Sequence, residues 1–352
     1  MEEWRVAIIG YGLAGRFFHA PLIAATPGLR VAAIVTGDAR RRHQAAHEHP
    51  DADLLSSPDE LWQRADAVDA VVVAAPTESH APLAAAAIAH DLAVVVDKPL
   101  AVTAEDALGL VELAERAGTL LTVFQNRRWD SDQLLLGRLI NEGSLGSVIR
   151  YESRFERWRP EADPGAWRDT MTPEAGGGQL LDLGSHLVDQ ALHHFGQAAE
   201  VYAEIDRRRG GAAEDDAFLA ITHVSGVISH LHASALVAAP GPRLRVLGTE
   251  GALLVTALDG QEDRLRAGER PDTVSDWGVE PRHSRPRLVV GEKSVPLSGP
   301  PGDWPAFYRL LATALAGEGP PPVDPRDAIA VLRLLELARL SAADGQVVHV
   351  LA

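Results

Sequence analysis

The chain of 352 residues contains no cysteine. That excludes disulfides, thiolate nucleophiles and thiolate metal ligands, and it fits a reducing, cytoplasmic setting. Aromatic residues are scarce, at 5%, so Ala, Val and Leu must carry much of the core. No apolar run approaches the ~20 residues of a membrane helix; the alanine-rich stretch Ala84–His90 is far too short. The opening MEEWRVAIIG is acidic and then strand-like, without the basic start and longer apolar run of a signal peptide. Positive charge is also in deficit, with 33 Lys and Arg against 49 Asp and Glu and a formal net charge of -16. Neither a nucleic-acid backbone nor an anionic membrane is an expected partner. An anionic ligand would need a local basic site.

The length predicts two domains. In the first third, short apolar runs alternate with helical segments. Strands are predicted at Arg5–Gly10, Leu29–Thr36, Asp69–Pro76, Leu92–Pro99 and Leu120–Trp129, and helices at Leu13–Ala25, Arg40–His49, Ala81–His90 and Thr103–Ala117. Continuous β-branched strands separated by helices imply a parallel sheet covered on both faces, with the valine-rich fourth strand at its centre. After Trp129 and a helix at Ser131–Asn141 the pattern changes to period two, in IRYESRFERWR, AEVYAEIDRR, DAFLAITHV, GVISHLHASALV, LRVLGTEGALLV and PRLVVGE. This predicts an antiparallel sheet, with one long helix at Gly178–Phe195 inserted before most of it. The last fifty or so residues read as helices at Trp304–Ala316 and Pro325–Ala343. The expected division is 1–126 and 127–352, with the C-terminal helices able to pack back on the first domain.

GYGLAG, Gly10–Gly15, fits G-x-G-x-x-G. It follows a strand and opens a helix, which is the context of a dinucleotide fingerprint. Gly10 allows the tight turn, Gly12 lets a pyrophosphate approach the backbone, and Gly15 lets helix pack on strand. Free N–H groups at the helix start then face the phosphates. NAD sites usually end the second strand with an acid; here it ends Val35–Thr36–Gly37–Asp38, followed by Arg40, Arg41 and Arg42. A 2′-phosphate bound by Thr36, loop amides and one arginine favours NADP. The alternative is NAD, with Asp38 on the ribose and the arginines a solvated helix start.

Lys98 ends the fourth strand, and ligands in such sheets bind beyond the carboxyl ends of strands. Pro99 makes the peptide before it a candidate cis bond. In GGGQLLDLGSHLVDQALHHFG, Gly176–Gly196, Asp182 and His186 stand four residues apart. An α-helix puts them on one face, about 6 Å apart along the axis. Gly184 and Ser185 keep the neighbourhood small, and Asp189 lies near the same stripe. A histidine suits the proton transfer that accompanies alcohol oxidation, and a lysine can polarise the oxygen. No metal is expected: His186 with Asp182, or with His193 and His194, lacks a familiar ligand spacing.

GYGLAG, the DKP element and the GGG-x3-D-x3-H helix, in this order, make the chain resemble the glucose–fructose oxidoreductase/inositol dehydrogenase/rhizopine-catabolism (Gfo/Idh/MocA) family over essentially its whole length. FFHAPLI, TPGL, NRRWDSD, RFERWRP and DLGSHLVDQAL resemble its NADP-dependent scyllo-inositol dehydrogenase-like branch. The resemblance implies an N-terminal Rossmann domain and a C-terminal α+β domain with a large open, mostly antiparallel sheet, through which a homodimer or homotetramer forms. It implies a catalytic Lys98, a substrate-binding Asp182 and His186 as general acid/base. Asp97 stands where much of the family has Glu. Candidate cofactor contacts are Gly10, Tyr11, Gly12, Leu13, Ala14, Gly15, Thr36, Gly37, Arg40, Arg41, Pro76, Thr77, His80, Asp97, Lys98 and Pro99. Candidate substrate contacts are Asn126, Arg127 or Arg128, Trp129, Arg154, Arg157, Asp182 and His186. His223, His230 and His232 read as sheet-face or interface residues. The expected activity is NAD(P)-dependent oxidation or reduction of a secondary alcohol in an inositol, polyol or sugar. The alternatives are an aldehyde or ketone reductase on another substrate, and a dinucleotide sensor without chemistry.

Overall fold

The computed structural model describes residues 3–281 and 284–350. It comprises two compact units. The first holds residues 1–126, 261–277 and 303–329; the second holds 127–260, 278–302 and 330–352. The chain beyond 260 is therefore shared between them.

The first unit is built on six parallel strands: β1 (Trp4–Ile9), β2 (Leu29–Val35), β3 (Asp53–Leu55), β4 (Ala70–Val73), β5 (Ala93–Asp97) and β6 (Leu121–Phe124). Their order is β3-β2-β1-β4-β5-β6. The valines of β4 and β5, Val71–Val73 and Val94–Val96, are wholly buried, as strands covered on both faces must be. Two expectations change. A short sixth strand, β3, forms the edge; its three residues carry no β-branched side chain, so sequence pattern does not mark it. And β5 lies one strand in from the other edge rather than at the centre, because a valine run reports burial, which every interior strand shares. Strand order reverses between β1 and β4, the place where ligands bind in such sheets.

The helix Ala104–Ala117 follows its sequence signals closely. Thr103 accepts a hydrogen bond from the Asp106 N–H at 3.1 Å, and Gly118 closes the helix in the left-handed region at φ 68°. The later helix Pro305–Leu315 belongs to this unit: Phe307 and Tyr308 pack on Phe124 with ring centroids 4.9 and 5.8 Å apart. Among the described residues no helix is long and apolar enough to cross a membrane.

The second unit carries nine strands: β7 (Val148–Glu156), β8 (Ala198–Asp206), β9 (Asp216–His223), β10 (Ile228–Ser234), β11 (Leu244–Gly248), β12 (Ala252–Val255), β13 (Arg287–Val290), β14 (Lys293–Pro296) and β15 (Val348–His349). They form one sheet in the order β14-β13-β12-β11-β7-β10-β9-β8-β15. Its pairs are antiparallel except β7 with β10, which run parallel. Period two holds along β9, where Ala217, Leu219 and Ile221 are buried and Phe218, Ala220 and Thr222 are half-buried. The helix Ser185–Phe195 packs on β7 and β10. The two edge strands β14 and β15 escaped the sequence reading; one is exposed throughout, the other only two residues long.

Within the first unit, Thr122 ties β6 to the late segment: its hydroxyl donates to the Val323 carbonyl at 2.8 Å and accepts from the Val323 N–H at 3.2 Å. Thr122→Val keeps the shape and leaves both backbone groups buried and unpaired. A loss of about 1–3 kcal/mol is expected, read as a lower urea midpoint with an unchanged m-value.

Candidate active site

The phosphate loop follows β1. Gly10 adopts φ 99°, and a Cβ there would collide with the Ala74 carbonyl beyond β4. A Cβ on Gly15 would collide with the Gly10 carbonyl. Gly12 differs: the one atom near its missing Cβ is Nη1 of Arg41, 3.7 Å away. Backbone therefore fixes the first and third glycines, whereas the middle one borders a cradle that only a flexible guanidinium enters. A dinucleotide pyrophosphate fits such a cradle. The helix that follows opens with a π turn, Gly15–His19, before the α-helical Ala20–Ala24. Leu13 is exposed and Ala14 half-buried. The Tyr11 ring points away from the loop: it is buried, and its hydroxyl donates to Glu48 at 2.6 Å. Burial and Glu48 push that phenol well above its ordinary range.

At the end of β2, Thr36 is buried while Gly37, Arg40 and Arg41 are exposed. Asp38 caps the helix Ala39–Glu48 by accepting from the Arg41 N–H at 2.9 Å. That backbone hydrogen bond is the main cause holding its carboxyl below the usual range. Arg42 donates to the Thr36 carbonyl at 3.0 Å.

Beyond β5, the Lys98–Pro99 peptide is cis, and the Lys98 N–H donates to Asp97 Oδ1 at 2.9 Å. Lys98 is half-buried and is one of two lysines in the chain, the other being Lys293. Behind it stands a buried row: Tyr308 Oη lies 2.5 Å from His19 Nδ1, and His19 Nε2 lies 3.8 Å from Asp97. Burial opposes the charge on Asp97; His19, Lys98 and His80 outweigh it, and the carboxyl sits below its usual range. Pro76 is exposed and Thr77 buried. His80 is 1% exposed, with Nδ1 2.7 Å from the Pro99 carbonyl and Nε2 2.9 Å from the Ala75 carbonyl. Burial favours the neutral ring, which has one N–H and so donates to one of these carbonyls while sitting between the loops after β4 and β5. His80 thereby braces the lysine turn.

In the second unit the glycine-led helix begins with another π turn, Leu180–Gly184, and turns α-helical at Ser185–Phe195. Asp182 lies in the π turn and His186 in the α segment, so uniform α geometry does not describe their relation. A π turn widens the helix by one residue, often at functional sites. The glycines before it are packed against backbone and carboxylate: a Cβ on Gly177 would collide with the Met171 carbonyl, and Gly178, at φ 99°, adjoins the Glu214 carboxylate.

The helix is clamped by NRRW, a 3-10 turn at Asn126–Trp129. Asn126 is buried, in the first unit; Trp129 is half-buried. Arg128 grips Asp189 through two hydrogen bonds of 2.9 and 2.6 Å. Gln190 donates to the Arg127 carbonyl at 3.1 Å and accepts from Arg243 at 3.1 Å. Arg127 and Arg243 also lie over the Phe155 ring, 4.9 and 4.2 Å from its centroid. Phe155 in turn meets the His186 ring at 6.2 Å, and His186 is 5% exposed. Arg127 thus reaches the His186 ring through Phe155.

Arg154 does not. It alternates with Phe155 on β7 and so faces the other side of the sheet, where it pairs with Glu152 at 3.1 Å and Glu156 at 3.8 Å. Arg157 lies just past the strand and is half-buried, its N–H donating to the Ser234 carbonyl at 2.9 Å. His223 is buried between the Gly196 carbonyl and Ser229, and His230 and His232 lie against Phe218 on the sheet. Sequence reading missed Arg168 and Arg243, which come from the short helix Trp167–Thr170 and from the residue just before β11 and carry no local pattern. Arg168 Nε lies 3.0 Å from Asp182 Oδ2.

Family comparison agrees with this geometry. Residues 4–125 match the oxidoreductase family with an NAD-binding Rossmann fold, and residues 134–254 match the GFO/IDH/MocA C-terminal domain. The chain belongs to the Gfo/Idh/MocA oxidoreductase family. It is 40% identical over 343 residues to the uncharacterized oxidoreductase YdgJ of Escherichia coli, covering 97% of both chains. It is 32% identical to the scyllo-inositol 2-dehydrogenase (NADP(+)) IolW of Bacillus subtilis, covering 99% of this chain and 96% of that one. Among solved structures, the oxidoreductase yvaA of Bacillus subtilis superimposes with a TM-score of 0.92 at 31% identity, covering 99% of each chain. The resemblance drawn from the motifs is thereby shown, and the protein is an NAD(P)-binding oxidoreductase of this family.

The two kinds of glycine separate in a test. Gly15→Ala forces backbone apart, costs about 1–3 kcal/mol and lowers the melting midpoint. Gly12→Ala leaves the midpoint near wild type while weakening NADPH binding at least tenfold, about 1.4 kcal/mol. Fluorescence titration with NADPH checks this; wild-type affinity in Gly12→Ala refutes the cradle.

Proposed function

We propose that the protein is an NADP-preferring dehydrogenase acting on a secondary alcohol of an inositol, polyol or sugar. The observation that carries the proposal is the charge balance around the helix of Asp182 and His186. Arg127, Arg128, Arg168 and Arg243 each face an aspartate: Asp130 at 3.3 Å, Asp189 at 2.6 Å, Asp182 at 3.0 Å and Asp132 at 3.6 Å. Guanidiniums already matched to carboxylates leave little net charge to recruit an anionic substrate, and a neutral polyhydroxylated one suits the site. The names scyllo-inositol 2-dehydrogenase (NADP(+)) and D-apiose dehydrogenase among the relatives support the same class.

The bound nicotinamide would accept or supply the hydride at the alcohol carbon. His186 takes the hydroxyl proton on oxidation and returns it on reduction, at a ring nitrogen. Lys98 donates a hydrogen bond to the same oxygen and stabilises its developing negative charge. Asp182 accepts from a second hydroxyl and orients the ring. Arg41, poised beside Gly12, together with Thr36, would hold a 2′-phosphate, while Asp38 is engaged in its helix cap.

Initial rates with NADP⁺ and NAD⁺ across inositol isomers and aldoses test the assignment. His186→Ala is expected to lower kcat about 10²–10⁴-fold, and Lys98→Met likewise to lower kcat more than it raises KM. Wild-type turnover in both variants would sink the mechanism. Arg41→Ala is expected to raise the KM for NADP⁺ about tenfold or more, the worth of a charge-assisted hydrogen bond, with little change for NAD⁺. A wild-type preference for NAD⁺ overturns the cofactor choice alone.

A further inference from the structure

The ion pair of Arg168 with Asp182 has a use beyond neutralising a charge. Arg168 lies on the short helix Trp167–Thr170, in the stretch between β7 and the catalytic helix. Three features hold that stretch. The Gly178 N–H donates to the Arg168 carbonyl at 3.0 Å. Arg209, its side chain 4% exposed, joins Asp169 at 2.8 Å and Asp215 at 3.1 Å. The same guanidinium donates to the carbonyls of Arg159 and Glu161, each at 3.3 Å. The stretch is therefore anchored at several points along its length. Its product is the placement of one side chain: the Arg168 guanidinium, 4.6 Å over the Trp167 ring and 3.0 Å from Asp182. Neither partner is sealed off, the Arg168 side chain being 27% and the Asp182 side chain 14% exposed.

A carboxylate accepts hydrogen bonds and cannot donate; a guanidinium donates and cannot accept. Side by side they offer an acceptor and a donor a few ångströms apart, which is the pattern that two adjacent hydroxyls of a polyol present in reverse. A half-buried tryptophan next to them offers apolar surface to the C–H face of a ring. We infer that Arg168 is a specificity-determining residue, which together with Asp182 recognises a pair of neighbouring hydroxyls on the substrate. The inference rests on the proposed polyol dehydrogenase activity and narrows its substrates to cyclic polyols and sugars carrying a vicinal diol next to the reacting carbon. Arg168 has no part in moving the proton or the hydride.

A double-mutant cycle tests it. kcat/KM is measured with NADP⁺ and with whichever of scyllo-inositol, myo-inositol, D-glucose or D-xylose the wild type turns over best, in Arg168→Met, Arg168→Lys, Asp182→Asn and Arg168→Met/Asp182→Asn. Arg168→Met is expected to lower kcat/KM about 10- to 100-fold, chiefly through KM, the cost of removing one partner of a close charge pair. In the Asp182→Asn background the same change is expected to cost less than about threefold, because the two residues act as a unit. Arg168→Lys recovers part of the loss. The melting midpoint and the affinity for NADPH stay at wild type in each variant, which separates recognition from collapse of the loop.

If Asp182→Asn is damaging but Arg168→Met is silent, or the two effects simply multiply, this inference falls and the dehydrogenase reading stands. If the Arg168 variants lose NADPH affinity or stability along with activity, the residue is structural and the inference falls. If no polyol or sugar is turned over by the wild type, the dehydrogenase reading falls and takes the inference with it.

Discussion

A buried charge without a partner is too costly to keep, and the arrangement of both units follows from that constraint. In the first unit Asp97 ends a strand of fully buried valines, and His19, His80 and Lys98 gather around it. In the second, arginines and aspartates pair along the path from NRRW to the glycine-led helix. Two nearly sealed pairs join elements far apart in sequence: Arg128 with Asp189 and Arg243 with Asp132. Such pairs add little net stability, since desolvation offsets much of the attraction. What they contribute is position, because breaking either partner leaves a buried charge and so defines one geometry.

His186, proposed to carry the proton, benefits directly. His186 is nearly buried beside Phe155, and Phe155 is held between two guanidiniums that are themselves tied to acids and to Gln190. Aromatic contact, cation–π contact and ion pair form one continuous support for a single imidazole. Lys98 has a parallel arrangement in its own unit. There His80 links the loops after β4 and β5, and the His19–Tyr308 pair backs Asp97. The side chains nearest the chemistry are few; those that hold them in place are many and mostly buried.

The helix after the glycine loop and the helix of Asp182 and His186 both begin with a π turn, at Gly15–His19 and at Leu180–Gly184. In each, glycines precede or occupy the turn and allow backbone to approach backbone. Neither turn was legible in the sequence, because a π turn arises from how a helix start must meet its surroundings and not from the preference of its residues. The same holds for β3, β14 and β15, short edge strands that pairing with a neighbour creates.

Much was legible without coordinates. Period and composition separated a parallel sheet from a period-two sheet, and Thr103, Asp106 and Gly118 delimited a helix, because these signals act over a few residues. GYGLAG, DKP and the Asp182–His186 helix marked the family, since each is a local answer to a local geometric demand. What only the tertiary structure decided is which side chains face one another. It turned Arg154 to the far side of β7 and Tyr11 toward Glu48, and it set His80 between the Pro99 and Ala75 carbonyls. It also brought Arg168 to Asp182 and Arg243 to Phe155. Those facts depend on strand register and loop path, which are set by packing over the whole unit, and no short stretch of sequence encodes them.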